Sequence, residues 1–147
     1  MFQKNPRDVV VVAAVRTPAT KSGKGSLKDT RPDDLLIECI KGLMARVPNF
    51  DPAEIDDCVI GCAFPEGEQG MNVARIATMG AGLPDSVPAM TINRFCSSGL
   101  QSLAQAAANI QAGWYDVAIT GGVESMSQIP MGGQRPTPNP RLMTEAP

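Results

Sequence analysis

Cys96 is the residue whose type and position most clearly indicate chemistry, because it lies between a predicted strand at 87–93 and a predicted helix at 97–111. The start of a helix offers free backbone N–H groups and the positive end of the helix dipole. Both favour a thiolate at Cys96, and the N–H groups can hold a carbonyl oxygen as it gains charge. Residues 97–99 are small, so a bulky thioester can approach. The pattern predicts a nucleophile that attacks carbonyl carbon.

A structural role for Cys96 is the competing interpretation, because cysteine also packs as a small hydrophobic residue. The 147 residues contain no histidine, so an imidazole that activates Cys96 would have to come from outside them. On the residues alone, the nucleophile and the packed thiol both stay open.

The other three cysteines are predicted to pack in the core. Cys58 and Cys62 are four residues apart on a predicted strand, so their side chains point the same way. A metal site would need more ligands than this pair, and the chain offers neither a histidine nor a second cysteine pair. Cys39 lies on the apolar face of the first predicted helix. We therefore predict no metal site.

Two charged loops have both a functional and a structural interpretation. Glu66 and Glu68 flank Gly67, and paired carboxylates can transfer protons, but an exposed acidic turn is the simpler expectation. Residues 23–26 look like part of a phosphate-binding loop but lack its leading glycine at the required spacing. The lysines around them are expected to form a solvated loop face: Lys21, Lys24 and Lys28.

The elements that would position Cys96 alternate between strand and helix. Apolar runs predict strands at 9–15, 58–62, 87–93 and 116–122, and helix signals predict helices from Pro32 to Pro48, at 72–80 and at 97–111, with a single turn at 51–54. The order β-α-β-α-β-α-β predicts a layered α/β fold with a mixed buried sheet. The helix at 97–111 has few charges and is expected to be a buried central helix, and the chain from Pro130 onward is expected to be loop.

Composition excludes several classes of protein. With 43% hydrophobic residues, the chain can bury one core, and its net charge of -2 argues against a nucleic-acid binder. Residues 1–8 contain no apolar run of a secretory signal, and no stretch reaches the roughly 18 apolar residues of a membrane span. A cytoplasmic location with reduced thiols is therefore expected, and an organellar one stays open.

The segment around Cys96 resembles a known family signature. Residues 92–103, INRFCSSGLQSL, resemble the acyl-intermediate signature of thiolases. Further segments are similar to the family in the same order along essentially the whole chain: 14–18 with 25–28, 69–75, 87–91, and 121–127, in which Val123 replaces the usual Met. The related ketoacyl synthases usually lack the pair seen at Asn93 and Arg94, which makes them the weaker match.

The resemblance implies the fold of a thiolase half-module and a two-step acyl transfer. Cys96 would attack the ketone carbon of a 3-ketoacyl-CoA, and CoA would then collect the shortened acyl group. CoA thioesters are the implied substrates, with no separate cofactor. Met126 and Met131 would lie near the acyl chain, although packing explains them equally well. Residues 96–101 and 132–140 resemble the degradative 3-ketoacyl-CoA subclass more than acetoacetyl-CoA thiolases.

The resemblance also implies a larger assembly. Residues 1–128 correspond to the thiolase N-terminal domain and 129–147 to the start of a loop domain, and the complete protein would be a homodimer or homotetramer. The family's activating histidine, its second cysteine and its Asn/His pair belong to a later part of the chain. An alternative from another class is a short paralogue that lost catalysis and acts as an interaction module with a full thiolase subunit.

Overall fold

Three short strands lie side by side in one parallel sheet, in a computed structural model that describes residues 5–6 and 8–145. Among these residues the strands are β1 (Asp57–Gly61), β2 (Ala89–Ile92) and β3 (Ala118–Gly122). β1 is central and pairs in parallel with both neighbours. Parallel pairing requires a crossover of a dozen or more residues between strands, usually through a helix. The strand order therefore determines where the helices run.

The helices form the crossovers and flank the sheet. They are α1 (Pro32–Met44), α2 (Val73–Gly80), α3 (Ser98–Ala112) and α4 (Pro140–Glu145), with short 3-10 turns at Pro52–Glu54 and Gly67–Gln69. α2 connects β1 to β2, and α3 connects β2 to β3 across the central strand. Because crossovers are right-handed and these two run in opposite directions, α2 and α3 lie on opposite faces of the sheet.

The hydrophobic core lies between α1, α2 and one face of the sheet. Cys58 and Ile60 of β1, and Cys62 directly after it, point into this core. One face of each of the two helices packs against them. The buried members of the core include Leu36, Ile40, Cys58, Ile60, Cys62, Val73, Ala74 and Ala77. All five residues of β1 are buried, as expected for the inner strand of a parallel sheet.

Local signals in the sequence explain where the helices begin and end. Pro32 is the first residue of α1, where its missing N–H costs nothing, and Asp33 and Asp34 follow in the first turn. The side chain of Asn72 accepts a hydrogen bond from the Arg75 N–H at 3.3 Å and caps α2. α3 ends at Gly113, whose φ of +78° is the left-handed conformation common after helices. The three predicted helices are confirmed, but α1 ends at Met44, before the predicted end at Pro48.

The predicted first strand is wrong. Residues 9–15 are all described and form no strand, and Val10, Val11 and Val12 are 71% to 80% exposed. An apolar run favours burial and extended backbone, but a strand exists only where a partner completes its hydrogen-bond ladder. Among the described residues, β1 pairs with β2 and β3 and with no part of 9–15. The β-α-β-α-β-α-β order therefore loses its first member.

Three finer expectations also change. The mixed sheet is not confirmed, because the three strands described are all parallel. α3 is not buried all round, since Leu100 is 71% exposed. The tail after Pro130 contains one short helix, α4, where only loop was expected.

The predicted boundary between 1–128 and 129–147 stays a prediction, and residues 1–4, 7 and 146–147 lie outside the described part. No helix within the described residues is both long enough and apolar enough to cross a membrane.

Candidate active site

The carboxyl ends of the three strands bring three loops to one edge of the sheet. Residues 62–66 follow β1, residues 93–97 follow β2 and residues 123–127 follow β3. In open parallel sheets, ligands bind outside this carboxyl edge. Cys96 lies in the loop after β2, just before Ser97, the N-cap residue of α3. The predicted nucleophile therefore occupies the edge that such folds use for chemistry.

A tight turn presents Cys96 to solvent. The Ser98 hydroxyl accepts a hydrogen bond from the Arg94 N–H at 2.8 Å and donates one to the Phe95 carbonyl at 2.6 Å. Phe95 has a φ of +49°, which is uncommon for a residue that is not glycine. The unusual backbone of Phe95 directly precedes Cys96, and Cys96 is exposed. The packed-thiol interpretation of Cys96 is therefore wrong for this structure.

Small residues let the start of α3 approach the sheet. A Cβ on Gly61, at the end of β1, would lie 2.4 Å from the carbonyl carbon of Ser98. Ser98 is buried against this point, and Gly99 follows it. One turn later, the buried Ser102 donates a hydrogen bond to the Gly121 carbonyl of β3 at 2.9 Å. The N-terminus of α3 is thus seated across β1 and β3, which fixes the height of Cys96 above the sheet edge.

Asn93 joins the loop after β2 to the loop after β1. Its amide Nδ2 donates to the Ala63 carbonyl at 2.8 Å, and its Oδ1 accepts from the Phe95 N–H at 2.8 Å. The N–H of the same Ala63 donates to Oε2 of Glu124 at 2.7 Å. Hydrogen bonds on both sides of one residue, Ala63, therefore connect all three loops.

Gln69 completes this network from a fully buried position, with 0% exposure. Its Nε2 donates to the Phe64 carbonyl at 2.9 Å and to Oε1 of Glu124. Its Oε1 accepts from the Ser125 N–H at 2.9 Å. A buried amide with these partners is satisfied on both of its polar atoms, so the loops after β1 and β3 are held rigidly.

Sequence reasoning missed most of this network. Glu124 and Gln69 belong to segments that are similar to the thiolase family, but neither segment indicates these contacts, and Ala63 carries no signal. Gln69 and Glu124 are 55 residues apart, and Ala63 and Glu124 are 61 apart. A hydrogen bond between loops that distant depends on strand order and register, which local patterns do not contain.

The other cysteines lie where packing was expected. Cys58 and Cys62 are both 0% exposed and belong to the core. Burial, with a smaller contribution from nearby Asp57, raises the pKa of the Cys58 thiol to about 12. Burial, with a smaller contribution from Glu124, raises the pKa of the Cys62 thiol to about 11. Cys39 is half-buried on α1. In the described part of the chain, no three potential metal ligands form a cluster.

Glu66 and Glu68 do not form the exposed acidic turn that was expected, since both are only partly exposed. Oε2 of Glu66 accepts from the Gln134 N–H at 2.7 Å. A Cβ on the neighbouring Gly133 would lie 2.3 Å from that carboxylate, and the φ of Gly133 is +88°. Glycine at 133 allows the chain to wrap around Glu66, so this carboxylate anchors the tail.

Met126 and Met131 are both exposed, at 43% and 74%. Met126 lies four residues beyond the end of β3, on the same edge as Cys96, and Met131 lies farther along the tail. Their proposed role beside an acyl chain stays a prediction.

Comparison with known proteins decides the family. The model for "Thiolase, N-terminal domain" matches residues 9–145. This chain belongs to the thiolase family. A 3-ketoacyl-CoA thiolase of Bacillus subtilis is 52% identical over 96% of the chain and 36% of its own length. A peroxisomal 3-ketoacyl-CoA thiolase of Arabidopsis thaliana is 50% identical over 86% of the chain and 28% of its own length.

The thiolase fold is confirmed by a solved structure. The acetyl-CoA acetyltransferase of Bacillus anthracis superposes with a TM-score of 0.72 and 36% identity, over 88% of this chain and 34% of that protein. The chain thus spans about a third of the length of the thiolases it matches. It corresponds to their N-terminal part, as the sequence resemblance implied.

Proposed function

We propose that the protein containing this chain is an acyl-CoA C-acyltransferase of the thiolase type that works through a thioester on Cys96. The observation that carries the proposal is the exposed thiol immediately before α3, at the carboxyl edge of a parallel sheet.

The proposed reaction has two steps, transfer of the acyl group to Cys96 and then to CoA. The Cys96 thiolate attacks the ketone carbon (C3) of a 3-ketoacyl-CoA and forms an S–C bond, and the bond between C2 and C3 is then cleaved. Acetyl-CoA leaves as its enolate and takes up one proton on carbon. CoA then gives up its thiol proton, attacks the thioester and takes the acyl group, and the Cys96 thiolate is regenerated. The 147 residues contain no histidine, so the base and acid of these steps are expected outside them.

The 3-ketoacyl-CoA subclass is favoured by the names of the relatives, since those of Bacillus subtilis and Saccharophagus degradans are both 3-ketoacyl-CoA thiolases at 52% and 51% identity. An acetoacetyl-CoA thiolase is the alternative, and rates with short and long 3-ketoacyl-CoA substrates distinguish the two. CoA thioesters as substrates, without a separate cofactor, and a homodimer or homotetramer complete the proposal. A cytoplasmic location is proposed, with the peroxisome as the alternative because Arabidopsis relatives carry that name.

Substitution of Cys96 tests the proposal in the complete protein. Incubated with acetyl-CoA, the unsubstituted protein is expected to gain the mass of one acetyl group on Cys96. Cys96→Ser should abolish that mass and thiolysis while leaving the melting temperature nearly unchanged, because the exposed Sγ contributes little packing. Cys39→Ser is the matched control and should retain the acyl-enzyme. Retained thiolysis in Cys96→Ser would exclude Cys96 as the nucleophile.

A non-catalytic interaction module is the second candidate. It is favoured by the apolar outer face of α3 and the residues after it, where Leu100 is 71% and Trp114 76% exposed. This function predicts that the chain co-purifies with a full thiolase subunit and forms no acyl-enzyme by itself. Acyl transfer at Cys96 in the complete protein, without such a subunit, would contradict it.

A further inference from the structure

Glu124 is an exposed residue, yet both oxygens of its carboxylate accept hydrogen bonds within the fold. Oε2 accepts from the backbone N–H of Ala63 at 2.7 Å, and Oε1 accepts from the side chain of Gln69. Each carboxylate oxygen therefore has its own donor: Ala63 lies in the loop after β1, and Gln69 lies in the 3-10 turn that follows this loop. Glu124 itself follows β3, so its side chain reaches across the carboxyl edge of the sheet.

Gln69 binds both Glu124 and its neighbour Ser125 from a fully buried position. Its Oε1 accepts a hydrogen bond from the Ser125 N–H at 2.9 Å. The backbone and the side chain of the loop after β3 are thus fixed to one buried amide. A charge-assisted hydrogen bond held in this way keeps its direction better than one between mobile side chains.

The contact continues to the nucleophile through Ala63. Its N–H binds Glu124 and its carbonyl accepts from Asn93 at 2.8 Å. The other end of the Asn93 amide accepts from the Phe95 N–H at 2.8 Å, and Phe95 has the unusual φ of +49° immediately before Cys96. Three hydrogen bonds in sequence therefore run from the Glu124 carboxylate to the backbone that aims the Cys96 thiol.

We propose that Glu124 is a positioning residue that orients Cys96 for attack on the acyl carbon, acting through Ala63 and Asn93. The inference rests on the proposed function and names a group that the reaction scheme above does not use. Glu124 holds the Ala63 peptide, the peptide holds the Asn93 amide, and the amide stabilises Phe95 in its left-handed conformation. Without Glu124 the Ala63 N–H loses its acceptor, and the turn that presents Cys96 loses its fixed support.

Asp56 provides a matched control within the same sheet. Its carboxylate also bridges β1 and β3 by accepting backbone N–H groups, from Asp116 at 2.7 Å and Val117 at 3.0 Å. These contacts lie at the amino ends of the strands, opposite Cys96. Asp56→Ala and Glu124→Ala therefore remove the same type of contact from opposite edges. A purely structural role for Glu124 would make the two variants behave alike.

The experiment measures two rates at Cys96 in the complete protein, at a temperature where every variant is folded by circular dichroism. One is acyl-enzyme formation from acetyl-CoA, and the other is alkylation by iodoacetamide, a small reagent that needs no orientation. Glu124→Ala is expected to slow acylation by about 10- to 100-fold, because small misplacements cost this much. Its alkylation rate should stay within about threefold, because alkylation follows the thiolate fraction. Asp56→Ala should leave both rates unchanged.

A second variant tests whether Glu124 acts through Asn93, and it remains informative if Glu124→Ala does not fold. Asn93→Asp keeps the acceptor for the Phe95 N–H but loses the donor to the Ala63 carbonyl, so it should also slow acylation. If Glu124 acts through Asn93, the double variant should be little slower than the worse single variant, whereas independent effects would multiply.

The outcomes separate this inference from the proposed function. Acylation of the unsubstituted protein combined with normal acylation in both Glu124→Ala and Asn93→Asp would overturn the positioning role alone. Equal slowing by Asp56→Ala and Glu124→Ala, or multiplying effects in the double variant, would overturn it too. No acyl group on Cys96 in the unsubstituted protein would overturn the proposed function and, with it, the role of Glu124.

Discussion

Four cysteines in one chain lie in clearly different environments. Cys96 is exposed, Cys39 is half-buried, and Cys58 and Cys62 are buried in the core. Reactivity of a thiol depends on access and on the thiolate fraction, and burial lowers both. The structure therefore predicts selective chemistry at Cys96, even though its neighbours in the core carry the same functional group.

Thiol labelling at pH 8 should show this order. With pKa values of about 12 and about 11, Cys58 and Cys62 would be thiolates in only about one molecule in ten thousand and one in a thousand. We expect iodoacetamide to modify Cys96 first and Cys58 and Cys62 only after unfolding, as measured by peptide mass mapping. Raising the pH should not expose them until the fold opens. Rapid labelling of Cys58 in the native protein would contradict the burial shown here.

The position of Cys96 at the start of a helix was predictable at this scale, but the residues that support it were not. Cys96 is marked by its own position between an apolar run and a helix with small first residues. Gln69 stands in a polar loop, and nothing near it indicates that it is 0% exposed. Its burial follows from the meeting of the loops after β1 and β3, which is a property of the assembled sheet.

At the scale of elements, the seating of α3 on β1 determines where Cys96 lies. Ser98 lies so close to Gly61 that a methyl group does not fit at position 61, since an added Cβ would be 2.4 Å from a backbone atom of Ser98. Backbone cannot move aside as a flexible side chain can. The whole helix would have to shift to accept a larger residue at 61.

Gly61→Ala is therefore expected to destabilise the fold by about 3 kcal/mol, as overpacking of a core does. It should also slow acylation of Cys96, because the start of α3 moves with the displaced Ser98. Gly42→Ala is the control, because Gly42 lies inside α1 with nothing within 4 Å of an added Cβ. That change should stabilise by about 0.5–1 kcal/mol. Denaturant unfolding measures both, and equal effects would contradict the packing of α3.

Asp56 ties the amino ends of β1 and β3 together, and this link depends on pH. The Val117 and Asp116 N–H groups lower the pKa of its carboxyl from the usual 3.8. A depressed pKa in the folded state means that Asp56 stabilises above the unfolded pKa, and that this stability is lost as the pH falls through the folded value. Asp56→Ala should lower the melting temperature at pH 7, and the difference from the unsubstituted protein should shrink below about pH 4. A constant difference down to pH 2 would contradict the link.

Helices were predictable because their signals are local. Pro32, Asn72 and Gly113 act within one turn of their own positions. The run at 9–15 shows the opposite case, because its valines favour a strand but the partner that would pair with them is not specified by any nearby residue. The segments of β1, β2 and β3 were predicted as strands from the same apolar character. They form strands because they pair with one another.

At the scale of the whole molecule, several large apolar side chains are exposed on the surface. Along α3 and just after it, Leu100, Leu103 and Trp114 are 71%, 44% and 76% exposed. β2 and β3 are both edge strands of the described sheet. Exposed edges and apolar faces are sites for association. The matched thiolases are about three times as long as this chain, and we expect residues outside these 147 to cover those surfaces in such proteins.

The 147-residue chain expressed by itself should therefore self-associate or aggregate. Trp114 is the single tryptophan and is 76% exposed, so its emission should shift to shorter wavelength as concentration rises and the surface becomes covered. Light scattering after size exclusion should report masses above 15.5 kDa. Replacing Leu100 and Leu103 with Gln should reduce both signals, whereas the same change at Leu142, an exposed leucine of α4, should not. A monodisperse monomer with one cooperative melt would show that the exposed face of α3 needs no cover and would contradict the expected self-association.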